Sequence, residues 1–513
     1  MKLPIVKSLH IENFTGTGIT NADYFNKNAI IGEYEDGRIY ATQRPSIDIF
    51  DDATAAGIPE QGRGVYFWHD ANDRYIVVAD KVYKGSLGSV AIATLGSSVG
   101  TTGKVYFVEM VNYLVILDPQ NNQGWSIKSD ALTTVVEIID VDFPPNQTPA
   151  IQLTAGGAFL DGRLYVGGTD RGIYSSESNT PIDWASTDVI SAEREADVGV
   201  YLDKHHDHIV MFGSRTIEFF YNAANPPGQS PLSKRQDIFH NTGLMQGDAA
   251  WREGDDIYFV GIYPSGPLTV KKLVDFQIQT ISTPEVETYI TNSRLTEDAD
   301  FISSGFTAGQ RSFYIITFFR TLAGVVTPLI TIAFDGISWG IWNSAICSCG
   351  NFPLIGWSIR SGSSARSGEG IFVNGDLLTI RDDFNPVDTL LASSYIADAY
   401  IQDGYYVATG GSGENVVMTV RTGPFDGDTN YWKFGHTLEV VGDETALTTA
   451  TATVKWADGN SISFNAGRIV SLDKKEKITR LGRFKRRNHE VVFDIAEQYR
   501  IEALEMQLTQ GDH

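Results

Sequence analysis

Seven times between residues 75 and 380 the chain repeats one pattern: an apolar run, a break, and a second short run able to pair with the first. The first runs cover 75–78, 113–117, 164–166, 209–212, 257–260, 313–319 and 371–373. Their partners cover 81–84, 125–128, 173–175, 216–221, 268–273, 329–334 and 377–380. Successive units begin 38 to 58 residues apart. That is at or somewhat above the roughly 40–50 residues of a four-stranded propeller blade. A sheet so small cannot hide both faces alone, so radial stacking of neighbours is the natural remedy. The expected fold is all-β: a β-propeller of about seven blades, six or eight also fitting if closure splits one blade between the two ends. An all-β sandwich with irregular loops is the alternative, since the units share little sequence.

Composition points the same way. Strand formers dominate, with 27 Phe and 22 Tyr beside 50 Gly, and no long stretch carries helical periodicity. The propeller signatures with Gly-His and Trp-Asp, or the Ser-x-Asp-x-Gly-x-x-Trp box, are missing; residues 334–339, Phe-Asp-Gly-Ile-Ser-Trp, come nearest. They read as a turn with Gly336 at positive φ and Trp339 packed between blades. After residues 382–386, Asp-Asp-Phe-Asn-Pro, the texture changes to longer strand candidates at 416–421, 437–441, 452–456 and 491–495. Three parts are expected: N-terminal strands over 1–60 joining the other two, the propeller over 61–387, and a C-terminal β-sandwich over 388–513.

Forty Lys plus Arg against 63 Asp plus Glu give a net charge of −23, a field that repels phosphates and argues against coating nucleic acid. Cys347 and Cys349 are too close for an unstrained bridge and lack further zinc ligands, so both are expected reduced. The N-terminus lacks the apolar core of a signal peptide, and no run is long enough to span a bilayer. Synthesis in a cytoplasm is the expectation.

The hairpin at 209–221, IVMFGSRTIEFFY, is followed by Asn225-Pro226-Pro227-Gly228 and later by Gly243-Leu244. This arrangement resembles the packaged-DNA stabilisation, or tail hub, proteins of short-tailed bacteriophages. Gly62-Arg63-Gly64-Val65, with 75–78 and Val82-Tyr83-Lys84-Gly85, is similar to that family's first full hairpin. Asn21-Ala22-Asp23-Tyr24 and residues 40–45 are similar to its opening, although Ser46 stands where a glycine is expected. Residues 480–487, RLGRFKRR, resemble a basic strand near the end of such proteins. The resemblance implies a structural virion protein with no catalytic role and no cofactor. It implies a hexameric ring below the portal and head-to-tail adaptor that continues the DNA channel, retains packaged DNA, and offers attachment points to tail fibres or spikes. It also implies transient passage of double-stranded DNA and no membrane insertion.

The residues themselves single out three clusters. His205, His206 and His208 with Asp203 and Asp207 form a histidine group, but adjacent strand side chains point apart, so a polar hairpin connection is expected rather than a metal site. Carboxylate neighbours such as Glu193 and Glu195, or Asp255 and Asp256, read as solvated loops. Lys474, Lys475, Lys477, Arg480, Arg483, Lys485, Arg486 and Arg487 stand against Glu476 alone, a net +7 within a chain of −23. The plain reading of this strip is a surface strand whose cations discourage edge pairing. The sharper one is an interface with an acidic neighbour or the DNA path, in which neutralising Arg483, Arg486 and Arg487 spares the fold but impairs assembly. A propeller glycosidase or depolymerase acting on host polysaccharide is the alternative function, and a cellular interaction scaffold a third.

Overall fold

The computed structural model describes most of residues 25–51, 61–95, 103–344, 352–390 and 413–511, with short breaks, and short strands at 2–4, 14–15 and 18–19. Residues 21–24, 382–386, Cys347 and Cys349 lie outside the described residues.

Seven antiparallel sheets follow one another along the chain. Blade 1 comprises Gly62–Trp68, Asp73–Val78, Lys81–Lys84 and Ala93–Thr94; blade 2, Tyr106–Glu109, Tyr113–Asp118, Gln123–Lys128 and Val135–Glu137. Blade 3 comprises Ala158–Leu160, Arg163–Gly167, Gly172–Ser176 and Trp184–Ser191; blade 4, Gly199–His205, His208–Gly213, Ile217–Asn222 and Leu232–His240. Blade 5 is built on Ala250–Glu253, Asp256–Ile262, Leu268–Val274 and Gln277–Thr280. Blade 6 is built on Asp300–Ala308, Arg311–Leu322, Val325–Phe334 and Trp339–Trp342. Blade 7 takes Leu354–Ile359, Gly368–Phe372 and Leu377–Ile380 from late in the chain, and its fourth strand, Ile47–Asp51, from the start.

The ring closes because blade 7 also packs on Gly62–Trp68 of blade 1. Apolar side chains fill the space between successive sheets: Trp68 and Tyr75 meet Leu114 and Trp125 between blades 1 and 2, and Val65 and Ile76 meet Ile355 and Ile371 between blades 1 and 7. The Gly-Arg-Gly-Val stretch shows why glycine is needed here. A Cβ at Gly62 would run into the Phe372 carbonyl of blade 7, and one at Gly64 would press on Val105 at 2.8 Å. Between the two glycines, Arg63 turns into the interior, where Nη2 lies 2.7 Å from Asp118 of blade 2 with both side chains fully buried. Its Nε donates to the Gly103 carbonyl at 2.7 Å.

A second core lies between two further facing sheets. One holds Ala29–Glu33, Ile39–Gln43, Lys433–Gly442, Ile478–Phe484 and Ile501–Gln510; the other holds Met418–Arg421, Thr451–Asp458, Arg468–Ser471 and Arg487–Phe493. Leu438, Leu504 and Met506 from the first meet Met418, Val454 and Phe493 from the second. N-terminal strands stitch this unit to the wheel. Phe25–Lys27 pairs parallel with blade 6 and antiparallel with Met418–Arg421, while Ile47–Asp51 pairs with both blade 7 and Val387–Leu390.

The turn at 334–339 is part of that seam. Gly336 has φ +88°, and Trp339 is buried in the core shared by blades 4 to 6. Asp335 is buried and accepts from the backbone N–H of Ile31, Ile337 and Ser338 at 2.8, 2.9 and 2.6 Å. Replacing Asp335 by alanine leaves those donors unpaired, and a loss of about 2 kcal/mol in chemical denaturation is the expected result.

Among the described residues the nearly all-β chain holds one α-helix that the sequence pattern did not signal: α1, Pro284–Glu297. Of its described side chains Val286, Tyr289, Ile290 and Ser293 are buried, the three apolar ones at helical spacing against the core of blades 4 to 6. The start is instead written in local chemistry. Proline takes the first turn, Glu285 and Glu287 favour its positive end, and Ser282 donates to Glu287 at 2.7 Å.

Candidate assembly surface

The basic strip occupies Ile478–Phe484 and its flanks. Among the described residues that strand is the edge of its sheet, with the single neighbour Lys433–Gly442. Arg480 at φ +58° and Gly482 at φ +76° accompany a register shift at Gly435/Thr437. The bulge replaces two-residue alternation, so Ile478, Leu481 and Phe484 turn inward while Thr479, Arg480, Gly482 and Arg483 face solvent. Lys474, Lys475, Lys477, Lys485 and Arg486 are exposed as well. Lys477 pairs with Glu439 at 2.9 Å. The Arg483 guanidinium and the Lys485 ammonium stand 4.8 and 5.5 Å from the centre of the Trp432 ring.

Arg487 departs from the expected surface strip. It is only 2% exposed, pairs with Asp458 at 2.8 Å, donates to the Leu481 carbonyl at 2.7 Å and lies over the Phe484 ring at 4.3 Å. Neutralising it strands a half-exposed carboxylate and an inward-facing carbonyl, so a variant that includes Arg487 does not spare the fold. The reason is register: from Arg487 the chain enters an inner strand paired on both sides, with Met418–Arg421 and Thr451–Asp458.

The histidine group sits at the outer end of the blade 4 hairpin. Phe276 N–H donates to His205 Nε2 at 3.1 Å, which leaves Nδ1 to donate to the Asp255 carbonyl at 2.5 Å. Burial lowers the His205 pKa, so a neutral ring bolts blade 4 to two turns of blade 5. His206 directs its nitrogens at two different carboxylates, Asp255 at 3.1 Å and Asp275 at 3.5 Å, and His208 meets Arg235 at 3.0 Å. Among the described residues no group of three ligand-type side chains converges to hold a metal.

Sequence reasoning missed a polar network at the hub of the wheel, where the first strands of the blades meet. Tyr66 donates to Glu109 at 2.7 Å, Tyr106 to Asp248 at 2.7 Å, and Tyr201 to Asp203. Arg252 holds the other oxygen of Asp203 at 2.9 Å, and Lys104 donates to the Ser303 carbonyl at 3.1 Å. Burial and the adjoining carboxylates push the Tyr106 and Tyr201 hydroxyls well above the usual range; burial also raises Asp248 and lowers Lys104. Glu109 and Asp248 accept from tyrosines of other segments and Asp203 pairs with Arg252 of blade 5, contacts that fix blades against one another. Only the alternation of tyrosine and acid on the first strands, as in Tyr201-Leu202-Asp203, hints at it in the sequence.

Fold and site together define a closed seven-bladed β-propeller, joined through its N-terminal strands to a second two-sheet unit with a basic edge. The chain belongs to the phage family described as bacteriophage P22 Gp10, β-propeller, whose model matches residues 1–322. This is a family of proteins that stabilise packaged DNA, and it makes the chain a phage structural protein. The matched span holds three of the four stretches that carried the resemblance; residues 480–487 lie beyond it. No curated protein matches the chain. Similar solved structures are distant. Virginiamycin B lyase from Staphylococcus aureus is 9% identical, with 65% of this chain and 98% of that chain covered and a TM-score of 0.38. BamB from Moraxella catarrhalis is 8% identical, covering 70% and 96%, with a TM-score of 0.35. PorZ from Porphyromonas gingivalis is 12% identical, covering 82% and 44%, with a TM-score of 0.34.

Proposed function

We propose that this protein is the tail hub, or nozzle, of a short-tailed phage: a hexameric ring below the portal and head-to-tail adaptor that continues the DNA channel, helps retain the packaged genome, and carries tail fibres or spikes. Family membership over residues 1–322 is the observation that carries this reading. Charge supports it, since a surface of net −23 lets a duplex pass without adhering. The hub network supports a structural role over catalysis, because its acids are engaged in holding blades together. The two-sheet unit, residues 388–513 with the N-terminal strands, serves in this reading as the platform facing the particle. Its exposed cations Lys474, Lys475, Lys477, Arg480, Arg483, Lys485 and Arg486 are the assembly surface.

Electron microscopy of the purified chain, alone and mixed with a portal and adaptor complex, tests the proposal. Six-fold rings that cap the adaptor are the expected result. A chain that stays monomeric at high concentration and ignores the complex would overturn it.

A further inference from the structure

Two patches of opposite character lie on opposite flanks of the molecule. The first is the basic edge, where the cations do not stand alone. Tyr431, Phe434 and Ile469 are exposed among them, Ile469 at 69%, and Phe434 is the cross-strand partner of Arg483. Edge protection accounts for lysines and arginines but not for exposed aromatic and aliphatic side chains beside them, a mixture enriched at protein interfaces.

The second patch is at the rim of blades 2 and 3. Ile139 and Val141 are 76% and 73% exposed, and Val136 and Ile182 are exposed too. The segment that displays them is rigid. Asn146 Nδ2 donates to the carbonyls of Ile138 and Asp140, both at 2.9 Å, and Asp142 N–H donates to Asp140 at 2.8 Å. Phe143 beneath it packs on Trp184 at 5.0 Å, which brings Ile182 alongside. Glu137 and Asp183 are exposed around these aliphatics, and Asp142 is half-buried. Ile139 and Val141 held out by this ordered loop, with Val136 on the preceding strand and Ile182 on the neighbouring connection of blade 3, form an acid-rimmed docking surface.

We infer that the acid-rimmed aliphatic patch at residues 136–142 and 182–183 receives the basic aromatic edge of a second copy of this chain. Charge selects that occupant. With buried Arg487 set aside, the exposed strip at 474–486 carries +6, the remainder of the chain carries −29, and each patch offers apolar centre and charged rim in the form the other lacks. Position agrees. The two-sheet unit joins the wheel at blades 6 and 7, across the ring from blades 2 and 3. Two different surfaces on opposite flanks make a head-to-tail contact, the kind that closes into rings. The inference rests on the ring reading above and adds its contact.

Sedimentation and negative-stain microscopy of the full chain test it. Arg480→Glu with Arg483→Glu and Arg486→Glu reverses one patch; Glu137→Lys with Asp142→Lys and Asp183→Lys reverses the other. Either set should weaken assembly at least about tenfold with the melting transition unchanged, and the chain carrying both sets should assemble again. For any set that fails to fold, Arg483→Gln and Ile139→Ser replace it and should each weaken assembly. Parent-like rings from both reversed chains, or no recovery in the folded combined chain, overturn the contact while leaving the ring reading standing. A parent chain that is monomeric throughout overturns both. Binding of a short DNA duplex that the Arg reversal abolishes, with assembly untouched, also overturns it by assigning the strip to DNA.

Discussion

Replacing Asp118 by alanine is expected to cost about 3–5 kcal/mol of stability, the largest effect of any single substitution considered for the wheel. The Arg63 guanidinium would remain between blades 1 and 2, fully buried and without its counter-ion. Asp118 also accepts from the backbone and side chain of Asn121 at 3.1 and 2.7 Å, so the turn that ends its strand loosens too. The paired change Arg63→Met with Asp118→Leu should recover most of the loss, because two apolar side chains leave no charge to solvate. Denaturation midpoints of the three variants decide the matter. If alanine at 118 costs under about 1 kcal/mol, the pair is not what holds these blades together.

Acid should loosen the two-sheet unit through His489. Neither ring nitrogen has a hydrogen-bond partner among the described residues, the side chain is fully buried, and burial followed by the neighbouring Arg487 lowers its pKa from 6.5 to about 3. The unfolded chain therefore binds a proton between pH 6.5 and about 3 that the folded chain refuses. Its contribution is complete above pH 6.5 and is lost as pH falls, at about 1.4 kcal/mol per unit and about 4–5 kcal/mol across the window. His489→Leu should flatten the pH dependence of stability by that one-proton slope. Equal slopes in parent and variant between pH 6 and about 4 would refute the assignment.

What the sequence revealed follows burial. All seven pairs of runs are the second and third strands of their blades, as with Ile209–Phe212 inside His208–Gly213 and residues 217–221 inside Ile217–Asn222, because strands enclosed on both faces read as unbroken apolar runs. The first strand Ala250–Glu253 and the fourth strand Val135–Glu137 are short and partly polar, and left no such mark. The closing strand Ile47–Asp51 looks like any local strand, since its partner Leu377–Ile380 lies far along the chain. The helix escaped because Val286, Tyr289 and Ile290, the buried apolar residues among its described side chains, make a faint stripe. At the basic strip the residue types were legible and their depth was not: Arg486 and Arg487 are adjacent letters, yet one faces water and the other is buried, its charge met by half-exposed Asp458. The hub network joins Tyr106 to Asp248 and Tyr66 to Glu109, meetings that only the packing of blades creates.

The way the wheel is fastened has a consequence during synthesis. Blade 7 needs a strand made early, and Ile39–Gln43, only a few residues before it, pairs with Ile501–Gln510, as does Lys2–Pro4. A nascent chain can stack blades 1 to 6 as they leave the ribosome, but its clasp stays open until Leu377–Ile380 is out of the exit tunnel, and the two-sheet unit stays incomplete until Ile501–Gln510 follows. Subunits cut short before residue 377 would therefore emerge as unfastened bracelets, and those cut short before residue 501 as closed wheels with bare sheet edges beside them, prey for proteases before they could be built into a particle.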